Sequence, residues 1–460
     1  MNEFVVALGG LDELRAVVVG EVLVDGDAGY PEAGRVMMNA GRPRVVVRCV
    51  GAGDVVAALR YAEGNDLPVA VRSGGHHAAG FGTNDGGVVI DVRGMDDVRV
   101  LPDDVVRVGT GATWGHVAGR LGELGLAISS GDTASVGVGG LMAGGGIGWM
   151  VRKHGLAIDN VVGAEVVTAD GAVRRVDAAT EPELFWGLRG AAGGLGVVTS
   201  YDITAVRQPT VHFGTLLYPW TQAEQVLKGW SEYAADAPEG LTSSLQLAPT
   251  MMADRQVPLA IQLCSTDEAL LEPLRHLGSL ITEKVAEVPY ADVFVDMAMP
   301  SEWRPRIRNG FYATWSDALT TKLLEARPRI PGLAIEIRAL GGAYGAMPAD
   351  GTAFAHRDAR FLVNSVLMGS PGQQGPQQPK DFDALWRSLE PDGAYLNFLS
   401  DPTEADLDAC FPEPHRKRLA ALKQSVDPGH VFRNPLTVPP RPEWTGGRRH
   451  LMRWAMRSRR

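Results

Sequence analysis

One histidine sits in the middle of a glycine-rich turn, Arg72-Ser73-Gly74-Gly75-His76-His77-Ala78-Ala79-Gly80, directly after a β-branched run. Glycine has no Cβ, so such a turn adopts positive φ and lets successive backbone N–H groups converge on an anion. Two further segments share the pattern: Gly137 to Gly148, with Gly139, Gly140, Gly144, Gly145 and Gly146, and Arg189 to Gly196. Any one of them reads as a tight turn. Three in one stretch of chain read better as a backbone cradle for a pyrophosphate-bearing ligand. His76 then stands where such a ligand could be tethered, because a neutral imidazole nitrogen is a competent nucleophile. A lone loop histidine also serves as a plain surface or hydrogen-bonding residue, and at this point both readings stand.

The remaining signatures exclude more than they offer. None of the glycine segments fits G-x-G-x-x-G, no lysine follows a glycine as a P-loop needs, and H-E-x-x-H and G-x-S-x-G are missing. The net charge of −10 argues against a nucleic-acid polyanion as main ligand. Arg448, Arg449, Arg453, Arg457, Arg459 and Arg460 form a basic tail, read as a solvated end rather than a partner contact. Cys49, Cys264 and Cys410 are widely spaced and include no C-x-x-C, so neither a disulfide framework nor a cysteine zinc site is expected. No apolar run approaches the roughly 20 residues of a membrane span. Met1 to Glu13 lacks the charged start and cleavage pattern of a secretory leader. The expectation is a cytoplasmic protein with no metal, no nucleic-acid and no membrane partner, of oligomeric state not legible.

The elements that must hold these turns follow from periodicity. From about 41 to 205, short β-branched runs (Val45–Val50, Leu67–Arg72, Val88–Val92, Val105–Gly109, Val197–Ile203) alternate with helices, one capped by Asp54 and one starting at Thr113. Glu165–Thr168 and Val173–Val176 flank an Asp-Gly hairpin turn. Beyond about 211, helices over Ala223–Ala234, Glu268–Leu277 and Asp317–Ala326 interleave with strands Ser243–Leu247, Leu259–Leu263, Ala334–Leu340 and Arg360–Leu367. That pattern suggests a second, substrate-binding domain whose sheet is covered on one face. Gly372 to Gln378 reads as an exposed loop, and a last helix runs from about Pro414 to Gln424.

Arg72-Ser73-Gly74-Gly75-His76 followed by Val88–Val92 and Gly94-Met95 resembles the FAD-linking loop of the berberine-bridge-enzyme-like oxidases, members of the vanillyl-alcohol-oxidase group. The likeness continues through Gly111-Ala112-Thr113-Trp114-Gly115, Ser135 to Gly140, Gly144–Gly148, Gly155 to Asn160 and Leu184 to Gly190. It closes with Tyr395-Leu396-Asn397-Phe398 and Asp427 to Arg433. In this order the motifs cover about 30 to 440.

The resemblance implies an α+β fold: a two-part PCMH-type FAD-binding domain with an intervening substrate domain of an antiparallel sheet covered by helices. The implied boundaries are 1–205 for the FAD domain, 206–394 for the substrate domain, 395–440 for the returning C-terminal segment and 441–460 for the tail. It implies FAD joined through its 8α carbon to His76, with attachment at His77 as the alternative. Around the cofactor it places Arg72, Ser73, Gly74, Gly75, His76, His77, Gly80, Thr133, Ser135, Val136, Gly137, Gly139, Gly140, Gly144, Gly145, Gly146, Gly148, Gly196, Val197, Val198, Tyr395, Asn397 and Asn434. Many relatives make a second flavin link through a cysteine where this chain has Thr133, so a single link is expected. Gly194 stands where relatives often have asparagine.

The implied activity is hydride removal from a small hydroxylated, phenolic or amine metabolite to flavin N5, with dioxygen reoxidising the flavin to give hydrogen peroxide. Tyr395 is the candidate base, if its pKa is depressed, and Asn364 a substrate-facing hydrogen-bonding residue. Phe354-Ala355-His356-Arg357 resembles a family F-P-H-R stretch and is read first as structural. Val136 is either an oxygen gate or packing. A dehydrogenase with another acceptor, and a flavin binder without turnover, remain alternatives here.

Overall fold

The computed structural model describes residues 8–250, 257–296, 304–369 and 377–440. The strands Val45–Arg48, Val69–Arg72 and Val88–Asp91 are short, valine-rich and parallel, with Val88–Asp91 in the middle and Glu21–Leu23 added antiparallel at one edge. Their near-continuous apolar character suits a sheet covered on both faces. The helix Ala52–Gly64 covers one of them. Asp54 is not its N-cap, which is Gly51. Instead the Asp54 carboxylate reaches back from the first turn and accepts N–H bonds from Val19, Gly20 and Val50. Three donors to one buried carboxylate fix this corner more firmly than a single cap would.

A second, fully antiparallel sheet runs Val98–Val100, Val105–Gly109, Val197–Thr204, Val161–Val167, Val173–Val176. The expected hairpin across Asp170-Gly171 is its last pair, with Gly171 at φ +75°. The helix Trp114–Gly122 begins where Thr113 accepts the His116 N–H. Its buried stripe of Trp114, Val117 and Leu121 joins the central core.

A third sheet is antiparallel and seven-stranded, in the order Thr282–Pro289, Thr210–Tyr218, Leu259–Ser265, Leu241–Leu247, Leu333–Ala339, Phe361–Leu367, Arg306–Tyr312. The helices Ala223–Asp236, Asp317–Arg329 and Gln378–Leu389 pack on one face over Leu245, Ile261, Ile337 and Phe361, with Trp230 of the first helix in the same core. This is the expected α+β arrangement, with an antiparallel sheet covered by helices on one side. Three of its strands, Thr210–Tyr218, Thr282–Pro289 and Arg306–Tyr312, fall outside the strands expected from sequence. The stretch expected as a helix over Glu268–Leu277 is two short turns, Glu268–Leu271 and Glu272–Arg275.

After this sheet the chain returns through Tyr395–Phe398 and the helices Glu404–Cys410 and Glu413–Val426. The buried Lys423 ammonium clamps the return, donating to Asp427 at 2.6 Å, to the Phe432 carbonyl at 2.6 Å and to the Gly194 carbonyl. The third glycine segment is thus tied to the C-terminal segment. The basic tail, 441–460, lies outside the described residues, as does most of the Gly372–Gln378 loop.

Candidate active site

The first glycine turn follows the strand Val69–Arg72 and is held from beneath. The Arg72 guanidinium is buried, paired with Asp91, and donates to the carbonyls of Ala33 at 2.7 Å and Arg35 at 2.9 Å. Its role is therefore to fix the strand end, not to face a ligand. Above it, the backbone N–H groups of Gly74, Gly75, His76 and His77 donate to no described residue, although the turn is half-buried. Consecutive unmet donors in a partly dry turn form an anion nest, and a pyrophosphate would satisfy them. The residues present fit an FAD diphosphate.

The second glycine segment packs backbone to backbone on the first. A Cβ on Gly74 would lie 2.4 Å from the Gly137 nitrogen, and one on Gly137 would lie 2.1 Å from Ser73 Oγ. Ser73 Oγ donates to the Thr110 carbonyl at 2.7 Å, which also accepts the Gly139 N–H at 3.0 Å. Farther along, Gly144 leaves room for Asn397, and Gly146 (φ +86°) donates its N–H to the Tyr395 hydroxyl at 2.9 Å. Gly140, by contrast, opens to space: a Cβ there would meet nothing within 4 Å. Gly148 abuts the carbonyls of Ser130 and Gly131, and Gly196 abuts Val166 and Val167, so both serve protein packing. Val197 and Val198 are buried in core clusters, and Asn434 closes its own turn by accepting the Leu436 N–H.

The paired histidines differ. His77 donates from Nε2 to the Leu396 carbonyl at 3.0 Å and accepts the Ala79 N–H at Nδ1, while its ring lies 4.4 Å from that of Phe81. Both nitrogens are committed, and burial pushes its pKa down to about 4. His76 is half-buried, and burial also lowers its pKa, opposed by Asp296 and by the Ser135 backbone. Burial thus favours the neutral ring at His76.

The Tyr395-Leu396-Asn397-Phe398 motif lies where the glycine segments and the seven-stranded sheet meet. Asn309 grips it, donating to the carbonyls of Tyr395 and Phe398 at 2.9 Å each and accepting the Tyr395 N–H. The Tyr395 hydroxyl accepts from Gly146 N and from Asn397 Nδ2, both at 2.9 Å. Burial, partly offset by these two bonds, pushes the phenol up to about 12. The depressed pKa that a tyrosine base needs is not there. With both bonds received, its own proton is available for donation.

The open face of the seven-stranded sheet supplies what the sequence reading missed. Leu333–Ala339 alternates buried and half-buried residues, with Glu336 and Arg338 on the face away from the helices. Register places Gln246, Glu336, Asn364 and Asn309 side by side across four strands. Arg338 bridges Asp132 at 2.6 Å and Glu336 at 3.0 Å, and donates to the Ile147 carbonyl at 3.3 Å. Thr133 donates its hydroxyl to the same Asp132 at 2.9 Å. The Asn364 carbonyl oxygen is buried without a partner, beside Glu336. Asp132, Ile147, Gly148, Glu336 and Arg338 line a small cleft between the second glycine segment and this face. The only sequence signal for Glu336 and Arg338 was their spacing of two on an otherwise apolar strand.

Two other expectations resolve. Arg357 makes a bidentate pair with Asp159 at 2.7 and 2.8 Å, and His356 stacks on Phe311 at 5.0 Å, so the Phe354–Arg357 stretch is structural. Val136 is half-buried against the central core, and its carbonyl accepts the Trp114 N–H.

Residues 43–177 match the FAD binding domain family. An FAD-linked oxidoreductase of Bacillus subtilis (strain 168) is 30% identical over 449 residues, covering 93% of this chain and 98% of its own. The crystal structure of 6-hydroxy-D-nicotine oxidase from Arthrobacter nicotinovorans superposes with a TM-score of 0.82 at 26% identity, over 92% of this chain and 98% of that one. Glucooligosaccharide oxidase from Acremonium strictum, which carries a 6-S-cysteinyl, 8α-N1-histidyl FAD, shares the fold with a TM-score of 0.81 at 21% identity, over 93% and 99% of the two chains. With the unmet nest and the converging glycine segments, these likenesses identify the chain as a member of the berberine-bridge-enzyme-like FAD-linked oxidoreductases, and hence as an FAD-dependent oxidoreductase.

Proposed function

We propose that this oxidoreductase is an oxidase that removes a hydride from the carbon bearing a hydroxyl or amine group of a small molecule, with FAD attached to His76 and dioxygen as the final acceptor. The observation that carries the reading is the row of Gln246, Glu336, Asn364 and Asn309 across the sheet, with Glu336 lining a small cleft against Gly148 of the second glycine segment. When bound, FAD supplies the hydride acceptor at N5 and returns the electrons to dioxygen as hydrogen peroxide.

The chain's own residues do the rest. Glu336 takes the substrate's O–H or N–H proton, and Arg338 holds that carboxylate in place. The unpartnered Asn364 oxygen accepts a hydrogen bond from the substrate, and the Tyr395 phenol donates one. Two carboxylates against one guanidinium leave the cavity net negative, which favours an amine over an acidic substrate. The relative that oxidises 6-hydroxynicotine is consistent with that preference. Attachment at His76 rather than His77 is supported by the two committed nitrogens of His77. A single link is supported by Thr133, a hydroxyl bound to Asp132 where a thiol would be needed. Val136, small and half-buried, is the oxygen gate in this reading. The same reading makes the protein a cytoplasmic catalyst of small-molecule metabolism.

The test is peroxide release from a panel of small amines and alcohols, alongside flavin bleaching under anaerobic conditions. Bleaching with peroxide in air supports the oxidase. Bleaching without peroxide makes the protein a dehydrogenase, and no bleaching with any compound leaves it a flavin binder.

A further inference from the structure

Ser243 and Ser244 are neighbours on the strand Leu241–Leu247, so their side chains leave opposite faces of the sheet. Ser243 turns to the helices, where its hydroxyl accepts the Trp230 indole N–H at 3.0 Å. Ser244 therefore faces the open side, and register sets it directly opposite Arg338 and diagonal to Glu336. It is only 2% exposed, yet its hydroxyl has no partner among the described residues. With Asp132, Glu336 and Arg338 it lines the small cleft. The main chain that walls this cleft has the same property. Ile147, Gly148 and Trp149 are buried, and their N–H groups donate to no described residue. The two carboxylates of the cleft are already engaged by Arg338. What remains unmet is a hydroxyl and a run of N–H donors, and an acceptor atom satisfies both.

Asn364 lies on the other side of the Glu336 strand, and its unpartnered atom is an oxygen, which calls for a donor. Unmet groups of opposite kind thus flank the base. Ser244 and Asn364 are two strands and two residues apart, roughly 12 Å between Cα atoms. Side-chain reach and one hydrogen bond at each end leave roughly 6 Å between the ligand atoms that meet them. That is the span from the nitrogen of an aminomethyl group to an oxygen meta to it on an aromatic ring.

We propose that Ser244 is a specificity-determining residue, which hydrogen-bonds an acceptor oxygen that the substrate carries away from the carbon being oxidised. The proposal rests on the oxidase reading, with Glu336 and Asn364 at the reacting end. It narrows the substrate class to amines or alcohols with a second oxygen function, ether, carbonyl or phenol, across a ring-sized spacer. Arg338, opposite Ser244, repels a second ammonium at that end and suits an oxygen.

The experiment compares kcat/KM, read as anaerobic flavin bleaching in the holoprotein, for pairs that differ only in O against CH2. The pairs are 3-methoxybenzylamine with 3-ethylbenzylamine, and 3-methoxybenzyl alcohol with 3-ethylbenzyl alcohol. The wild type is expected to favour the oxygen-bearing member of a pair by about ten-fold, the worth of one buried hydrogen bond. Ser244→Ala should bring that ratio near one by raising KM, and Ser244→Thr, which keeps a hydroxyl, should retain most of it. The hydroxyl removed bonds nothing in the protein, so Ser244→Ala should fold and keep its FAD. A ratio near one in the wild type, as a water trapped on Ser244 would give, overturns the proposal. So does a ratio unchanged in Ser244→Ala, even where the overall rate falls, and so does turnover of other amines or alcohols with none of either pair. No bleaching by any amine or alcohol, in wild type and variant alike, sinks instead the oxidase reading beneath it.

Discussion

The FAD cradle and the open face of the seven-stranded sheet are built in opposite ways. The cradle presents main chain: unmet N–H groups at Gly74–His77, and glycines set so tightly that a single methyl would strike a neighbouring backbone. The sheet face presents side chains: Gln246, Glu336 and Asn364 on alternate positions of rigid strands, with Arg338 across to Asp132. A ligand common to a whole family is met by backbone, which mutation cannot easily vary. A substrate peculiar to one member is met by side chains, which can change without disturbing the ladder that carries them.

The contrast predicts which perturbations are severe. Gly74→Ala adds only a methyl, yet places it 2.4 Å from the Gly137 nitrogen. It should abolish FAD retention, read as loss of visible absorbance per chain; a fully yellow variant would show that the two turns can part. Glu336→Gln removes a proton acceptor from a face whose framework stays intact. It should keep FAD bound and lower turnover by about 10²–10⁴-fold, the usual worth of a general base. Turnover within a few-fold of the wild type would move the base elsewhere.

Arg338→Met leaves the Asp132 and Glu336 carboxylates facing one another without a cation. Removal of one partner from a buried charge cluster costs about 3–5 kcal/mol, and the partial exposure of these side chains places the effect at the low end. The denaturant midpoint checks it, and an unchanged midpoint would mean the cluster is solvated. The smallest effect belongs to His77, whose folded-state pKa of about 4 lies below the unfolded 6.5. Between these values the unfolded chain binds a proton that the folded chain refuses. Its stabilising contribution is therefore full above pH 6.5 and is lost as pH falls towards 4. A fall in Tm of roughly a few degrees across that window is expected. His77→Gln, which keeps a donor for the Leu396 carbonyl, should flatten the curve.

The same contrast explains what could be read from sequence. A cradle made of main chain must be written in glycine, so Gly74, Gly75, Gly137, Gly144 and Gly146 stood out as composition before any fold was known. The parallel strands also announced themselves, being valine runs covered on both sides. Leu333-Ala-Ile-Glu-Ile-Arg-Ala did not announce Glu336 and Arg338, because alternation on a strand looks the same whether its polar face meets water or a cavity. Thr282–Pro289 escaped notice because it is a charged edge strand, with Glu283, Lys284 and Glu287 blunting it against further pairing. Thr210–Tyr218 is interrupted by Gly214, which sits where the Lys284 carbonyl comes too close for any side chain. Asn309 acts through contacts with residues far off in the chain, and no local pattern marks such a residue.

Those distant contacts also govern how the molecule comes into being. The His77 ring is hydrogen-bonded to Leu396, 319 residues later, and Asn397 to Leu141, 256 residues earlier. Closing loops of that size is slow, and the entropy lost is not recovered until the last contacts form. During synthesis the valine sheet and its glycine turns leave the ribosome long before the segment that completes them. The nascent cradle must wait, open on one side, until Tyr395–Phe398 and the Lys423 clamp arrive. Cofactor capture is therefore a late event in biogenesis, and a chain truncated before Tyr395 would have the nest but nothing to close it.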